Sequence, residues 1–410
     1  MRLLFLVFLA LSCSSDGGNE PSQDPDPNSD PISTEPDSEL SSGDCTYVLD
    51  HKITVDTRIE NTESDCDCLV VGGITIENGT LTIDPGVTMR FEQDTGLFVT
   101  NQGNIHAVGT ADQRISFEGG QKIQGYARGI YFNGPDVPST FDYTDFKYLG
   151  KQDVAIDNRN AAIAGSSSSA PVTLKNSTVM GSDYHGASFA GLPLGGFENN
   201  AFFSNDRYGL VVNTEYLRML DDASDYLGAN APNGEPYIAT SALFTKVTTD
   251  ATWRNVGAPY RAGTIYVERG DITIEAGTTF VFGDGGQIKI ERDATLSVEG
   301  TAEDPVNFIA EEGTTSYWDG IWFVDTDKLR NKIEYALIDR AGKNGNAVRG
   351  ALSLWGPANL RLSHTTISNS ESWGICLGYL SNTSTFEQGE GNVFENNPEG
   401  DVVENCNYLN

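Results

Sequence analysis

His185-Gly186, Asn213-Thr214-Glu215 and Asp221-Asp222 supply the residue types that cleave a glycosidic bond: carboxylates to act as acid and base, with an imidazole close by. A second group, Asp142, Asp145 and Lys147, holds the parts of an elimination reaction, in which acidic ligands seat calcium and a Lys or Arg takes the proton. Aligned on itself, the chain sets Trp373 opposite His185, and Glu334, Leu337 and Asp339 opposite the second group. A variable turn and a solvated strand face permit such swaps. Cys66-Asp67-Cys68 has no second cysteine or histidine pair at ligand spacing, so it is not a zinc site. No nucleophile elbow, Walker loop or dinucleotide fingerprint occurs, and Gly283-Asp-Gly-Gly286 reads as a turn.

Such side chains act only if the backbone brings them together, and this backbone repeats itself. Residues 74–132 and 265–323 match without a gap at an offset of 191. Leu81-Thr-Ile-Asp-Pro-Gly86 returns as Ile272-Thr-Ile-Glu-Ala-Gly277, and Gly129-Ile-Tyr-Phe132 as Gly320-Ile-Trp-Phe323. Within each copy, apolar residues alternate with polar ones in short runs: Ile74/Ile76, Leu81/Ile83, Met89/Phe91, Leu97/Val99, Ile105/Ala107. Period two predicts strands with one buried face, and glycines and polar turns separate them. Like pairs recur about 24 residues on, which predicts a coil of three short strands stacked at about 4.8 Å.

These runs, with Ile105-His-Ala-Val-Gly109-Thr110, Ile115-Ser-Phe117, Val172-Thr-Leu174 and Asn392-Val-Phe-Glu-Asn-Asn397, resemble the β-helix repeat domains of bacterial envelope proteins. The resemblance implies an all-β fold: a single right-handed parallel β-helix, a solenoid of two tandem copies, preceded by a disordered tether. Parallel β-helices include pectate lyases and polygalacturonases. The polygalacturonase pattern fits poorly, because Tyr184 stands where that family has Gly, Glu215 where it has Asp, and the order along the chain differs.

The start of the chain reads as an address. Met1-Arg2, an apolar run from Leu3 to Leu11 and then Ser12-Cys13 resemble a bacterial lipoprotein signal, with Cys13 as the lipidated residue. Residues 1–12 are then the signal peptide and 13–44 an acidic tether with too few apolar residues to fold. The first copy spans 45–212, a connector 213–250 and the second copy 251–410, with a short helix expected at Glu215–Asp221. The pattern resembles envelope lipoproteins of Bacteroidetes-type bacteria and implies an outer-membrane protein, periplasmic or surface-exposed, touching the membrane through its anchor alone and monomeric. The net charge of −32 opposes nucleic-acid binding. Calcium could suit so acidic a surface, yet no segment has EF-hand or nonapeptide spacing, and no other cofactor is expected. Cysteines near both ends of the folded part suggest disulfides, Cys376 with Cys406 and Cys45 with Cys66 or Cys68, leaving one thiol over.

The strongest functional hint is aromatic. In Ile130-Tyr131-Phe132 and Ile321-Trp322-Phe323 the flanking residues point inward, so Tyr131 and Trp322 point outward. Tyr126 and Trp318 lie just upstream, and the four form the candidate ligand-binding set. Exposed rings on a flat sheet stack on sugars or dock a partner. The expected function is a non-enzymatic surface scaffold or module binding a polysaccharide or an envelope protein. The alternative is a polysaccharide lyase or hydrolase.

Overall fold

The computed structural model describes residues 45–152, 160–241, 246–313, 315–343, 350–378 and 383–404. Cys13, the tether and Cys406 lie outside the described residues. The described chain is almost entirely short strands paired in parallel, coil upon coil: a parallel β-helix. Ile74 pairs with Leu97 and Leu97 with Ile130 in the first copy; Ile265 pairs with Ile288 and Ile288 with Ile321 in the second. The offset of 191 is therefore a structural repeat.

Alternation decides which side chains enter the core. Ile74, Ile76, Leu81, Ile83, Met89 and Phe91 are buried, while Thr75, Thr82 and Arg90 between them are only half-buried. Stacking makes the interior columns continuous, with Phe117 on Phe146 at 5.3 Å and Phe280 on Phe308 at 5.8 Å. Such ring pairs add to the gain from burying area.

Corners need residues that tolerate left-handed backbone. Gly79 (φ 82°) and its counterpart Gly270 (φ 100°) turn the chain where a Cβ would sit 2.5 Å from Val55 C and 2.6 Å from Thr249 C. Gly270→Ala combines strain with a backbone clash, and the expected loss of stability is about 2 kcal/mol. A urea midpoint equal to wild type would contradict this. Asn199 (φ 51°) and Asn396 (φ 54°) occupy other corners, and their side chains donate to Asn176 at 2.9 Å and Asn369 at 3.0 Å. The asparagines thus build ladders that satisfy corner groups.

The described residues between 213 and 250 continue the solenoid. Thr214–Met219 is a 3-10 helix capped by the Asn213 side chain. Ile238–Ser241 then pairs in parallel with Leu210–Asn213 on one side and with Tyr260–Glu275 on the other. That segment sets the phase of the second copy. The column through Ile130, Ile163, Ala187 and Leu210 continues by way of Ile238 into Tyr260, Phe280 and Phe308. Phe280 is the repeat counterpart of Met89, which lies on a different sheet of the first copy from Ile130. The second copy is therefore turned by one sheet relative to the first.

The structure pairs Cys45 with Cys66 and leaves Cys68 as a buried free thiol. Burial pushes the Cys68 thiol up to about 12, so it stays protonated and unreactive. Cys376 is disulfide-bonded.

Candidate functional site

Tyr131 and Trp322 occupy equivalent outward positions on Gly129–Phe132 and Gly320–Val324, and both are half-buried. The phase shift separates them. Tyr131 lies beside Phe98 and Ala164, whereas Trp322 lies beside Lys289 and Ser353 in another column, on another face of the solenoid. Tyr126 packs against the rim of the core. Trp318 corrects the expectation of a ligand contact: it is fully buried, stacks on Phe282 at 4.2 Å and donates from Nε1 to the Asp339 carbonyl at 2.9 Å. The loop before its strand dips inward there, and a large ring that finds a hydrogen-bond acceptor gains most from burial.

In the elimination group Lys147 lies 3.8 Å from Asp145, but the group's carboxylates are taken up by structural contacts. Arg114 donates to Asp145 at 2.9 and 2.6 Å, and Asn176 donates to Asp142 at 2.8 Å. Among the described residues no group of three or more His, Cys, Asp or Glu converges to hold a metal ion. A shallow polar depression over Thr273, Thr295 and Ser297 has its charges already paired, Arg330 with Asp271 and Lys332 with Glu299.

His185 lies in a richer setting. Its strand, His185–Phe189, stacks on Ala161–Gly165 and under Leu210–Asn213. The residues just before successive strands fall in register: Arg207 N donates to the Tyr184 carbonyl at 2.9 Å, and Glu235 N to the Arg207 carbonyl at 3.1 Å. Arg207 and Glu235 reach the outer surface over Tyr184, His185 and Tyr208, which are themselves buried. Arg207 donates to the Tyr184 hydroxyl at 3.2 Å and lies 5.3 Å and 5.6 Å from the rings of Tyr184 and Tyr208. Glu235 approaches Arg207 at 3.8 Å. The His185 ring is 4.3 Å from Tyr184 and 5.4 Å from Tyr208. Arg261, the register partner of Ala239, donates to Glu311 at 3.2 and 2.8 Å. Tyr208, Val211 and Ala190, with Tyr237 and Ala239 against them, form an apolar patch separate from the main core.

Electrostatics keep this surface supplied with donors. Burial raises Tyr208, and Glu235 adds to that against the opposing effect of Arg261 and Arg207. Burial also raises Tyr237, reinforced by Glu311, Glu312 and Glu235. Both phenols stay protonated at neutral pH. The half-buried Tyr237 ring, the guanidinium donors and the carboxylate acceptors, lying side by side, can take the C–H face of a sugar and its vicinal hydroxyls together.

A second constellation runs along the sheet of Trp322. Tyr266, Lys289 and Trp322 are register neighbours on consecutive coils. Lys246 Nζ lies 4.6 Å from the Tyr266 ring, and Lys289 Nζ lies 5.2 Å from Tyr266 and 5.9 Å from Trp322. Trp355 stacks on Trp322 at 5.5 Å. Glu268 holds Lys246 at 2.7 Å and Glu291 holds Lys289 at 2.5 Å. Burial and the hydrogen bond to Glu291 push the Tyr266 hydroxyl up to about 12. Burial alone would raise Glu291, but the hydrogen bonds from Lys289 and Tyr266 outweigh it and hold the carboxyl below its usual value.

No protein-family profile and no curated protein sequence matches the chain. Some solved structures align with it. The catalytic domain of a GH87 alpha-1,3-glucanase in complex with tetrasaccharides aligns at 14% identity over 82% of this chain and 63% of its own, with a TM-score of 0.26. A complex of such a domain with nigerose gives 13%, 84%, 64% and 0.27. The periplasmic alginate epimerase AlgG gives 8%, 82%, 77% and 0.21. The chain spans just under two thirds of the glucanase domains, 63–64%. Agreement at this level says nothing of substrate.

Sequence reasoning singled out His185 and Tyr184 but missed Arg207, Tyr208, Glu235, Tyr237 and Arg261. The signal was their common place just before or at the start of successive strands. It is visible only once the coil lengths are known, because the step from Tyr184 to Arg207 is shorter than that from Arg207 to Glu235.

Proposed function

We propose that this protein is a polysaccharide-binding lipoprotein of the bacterial outer membrane, anchored at Cys13, whose sugar site is the surface around Tyr184, Arg207, Tyr208 and Arg261. One observation carries the reading: the half-buried Tyr237 ring, the guanidinium donors Arg207 and Arg261 and the carboxylate acceptors Glu235 and Glu311 share one face, over a floor of buried tyrosines. A chain of sugars needs that mixture, whereas a protein partner of the usual kind needs a larger apolar centre. A second reading, turnover of the bound chain, is favoured by the two carboxylates on this face, Glu235 beside Arg207 and Glu311 beside Arg261.

The test is a polysaccharide pull-down with the full chain, with every bound polymer assayed for released oligosaccharide. Tyr208→Ala and Arg207→Ala are each expected to weaken binding about tenfold, some 1.4 kcal/mol. Unchanged binding in both variants would remove the site from consideration. Released oligosaccharide would select the second reading.

A further inference from the structure

We infer that the outer face of the sheet carrying Trp322 is a second polysaccharide platform, independent of the first, which makes the protein bivalent for glycan. This face repeats its chemistry at coil spacing. Along one column an ammonium and a ring alternate: Lys246, Tyr266, Lys289, Trp322. Neighbouring strands lie about 4.8 Å apart, so the ladder offers a new contact at each coil. That advance is close to one sugar of an extended chain laid along the column.

Each position offers more than a ring. Glu268 and Glu291 sit beside Lys246 and Lys289, so an acceptor and a donor flank each aromatic face. Trp355 on Trp322 widens the platform at one end. The occupant this chemistry fits is a hexopyranose polymer, with C–H faces for the rings and vicinal hydroxyls for the carboxylate and ammonium pairs. The column does not meet the Tyr184–Arg261 cluster. The cluster's face runs over Tyr260 and Phe280, whereas the ladder's lies beyond the register break at Ala262–Thr264 and runs over Ile265 and Ile288. Two chains, or two stretches of one chain, can therefore be held at once.

The two sites differ in a way an optical measurement can read. The residues named in the cluster include no tryptophan, whereas the ladder ends on two of the chain's five. The full chain is titrated with a soluble neutral glucan and, separately, with sodium polygalacturonate, while tryptophan emission and mobility in polymer-containing gels are recorded. The expected result is a saturable emission change with at least one polymer. Trp322→Ala should weaken the event that gives this change at least tenfold, and Trp322→Phe, which keeps a ring, less than threefold. Tyr208→Ala should leave it in place, even where the first site is lost. Lys289→Met gives a second, milder probe if Trp322→Ala fails to fold. Emission unchanged by both polymers overturns the proposal. So does an unchanged emission titration in folded Trp322→Ala or, where that variant does not fold, in Lys289→Met. Failure of the first site alone appears instead as normal emission changes with no effect of Tyr208→Ala on gel mobility.

Discussion

Trp318→Ala is expected to lower the stability of the second copy by about 4 kcal/mol, the range found when large buried rings are truncated. The indole has no exposed surface, and removing it strips Phe282 of its stacking partner. It also leaves the Asp339 carbonyl without the Nε1–H that now donates to it, a further cost for a buried acceptor. In a solenoid the loss should appear first in the coils that touch the ring, because each coil's stability depends mainly on its neighbours. Amide exchange across Gly320–Val324 and Ala336–Asp339 should therefore quicken well before exchange in the first copy. A shift in the urea transition worth less than about 1 kcal/mol would show that Trp318 is not the core residue its burial implies.

Cys13→Ser is expected to move the protein almost wholly from the membrane fraction to the soluble fraction of the envelope. Under the proposed function the lipid on Cys13 holds the protein to the membrane; among the described residues no helix is long and apolar enough to cross one. An acyl chain contributes about 0.8 kcal/mol per buried methylene, far more than an acidic surface could recover from anionic lipid. Fractionation with and without detergent gives the measurement. Retention of the variant in the membrane fraction would refute the anchor.

The fold was legible in the sequence because it depends on local alternation and on a gap-free repeat. Ile74/Ile76 or Ile265/Val267 can be assigned inward without knowing what lies above or below them. The left-handed backbone at Asn199 and Asn396 has a similarly local cause, since the preference belongs to the residue. Trp318 was misread because the path of a loop depends on tertiary contacts, which alternation does not report. The relation of Tyr131 to Trp322 was hidden more deeply. It depends on summed coil lengths through residues 213–250, where the apolar rhythm breaks and a 3-10 helix takes the place of a strand. The cluster around Arg207 shares that dependence, because loop residues become neighbours only when the coils between them are counted correctly. Chemistry on a solenoid is thus written in the loops, where periodicity is silent.

The turn between the copies bears on how such a gene can grow. Duplicating a unit of whole coils would lengthen one stripe of surface along one side, as links lengthen a chain. Here the duplicated unit is not a whole number of coils, and each added unit advances the stripe to the next side, as a thread advances around a bolt. Substitutions in the two halves meet different constraints, because Tyr131 and Trp322 do not share neighbours. Unequal crossing-over that deleted one unit would keep every core contact in register, yet it would turn the far end of the helix to face a new direction.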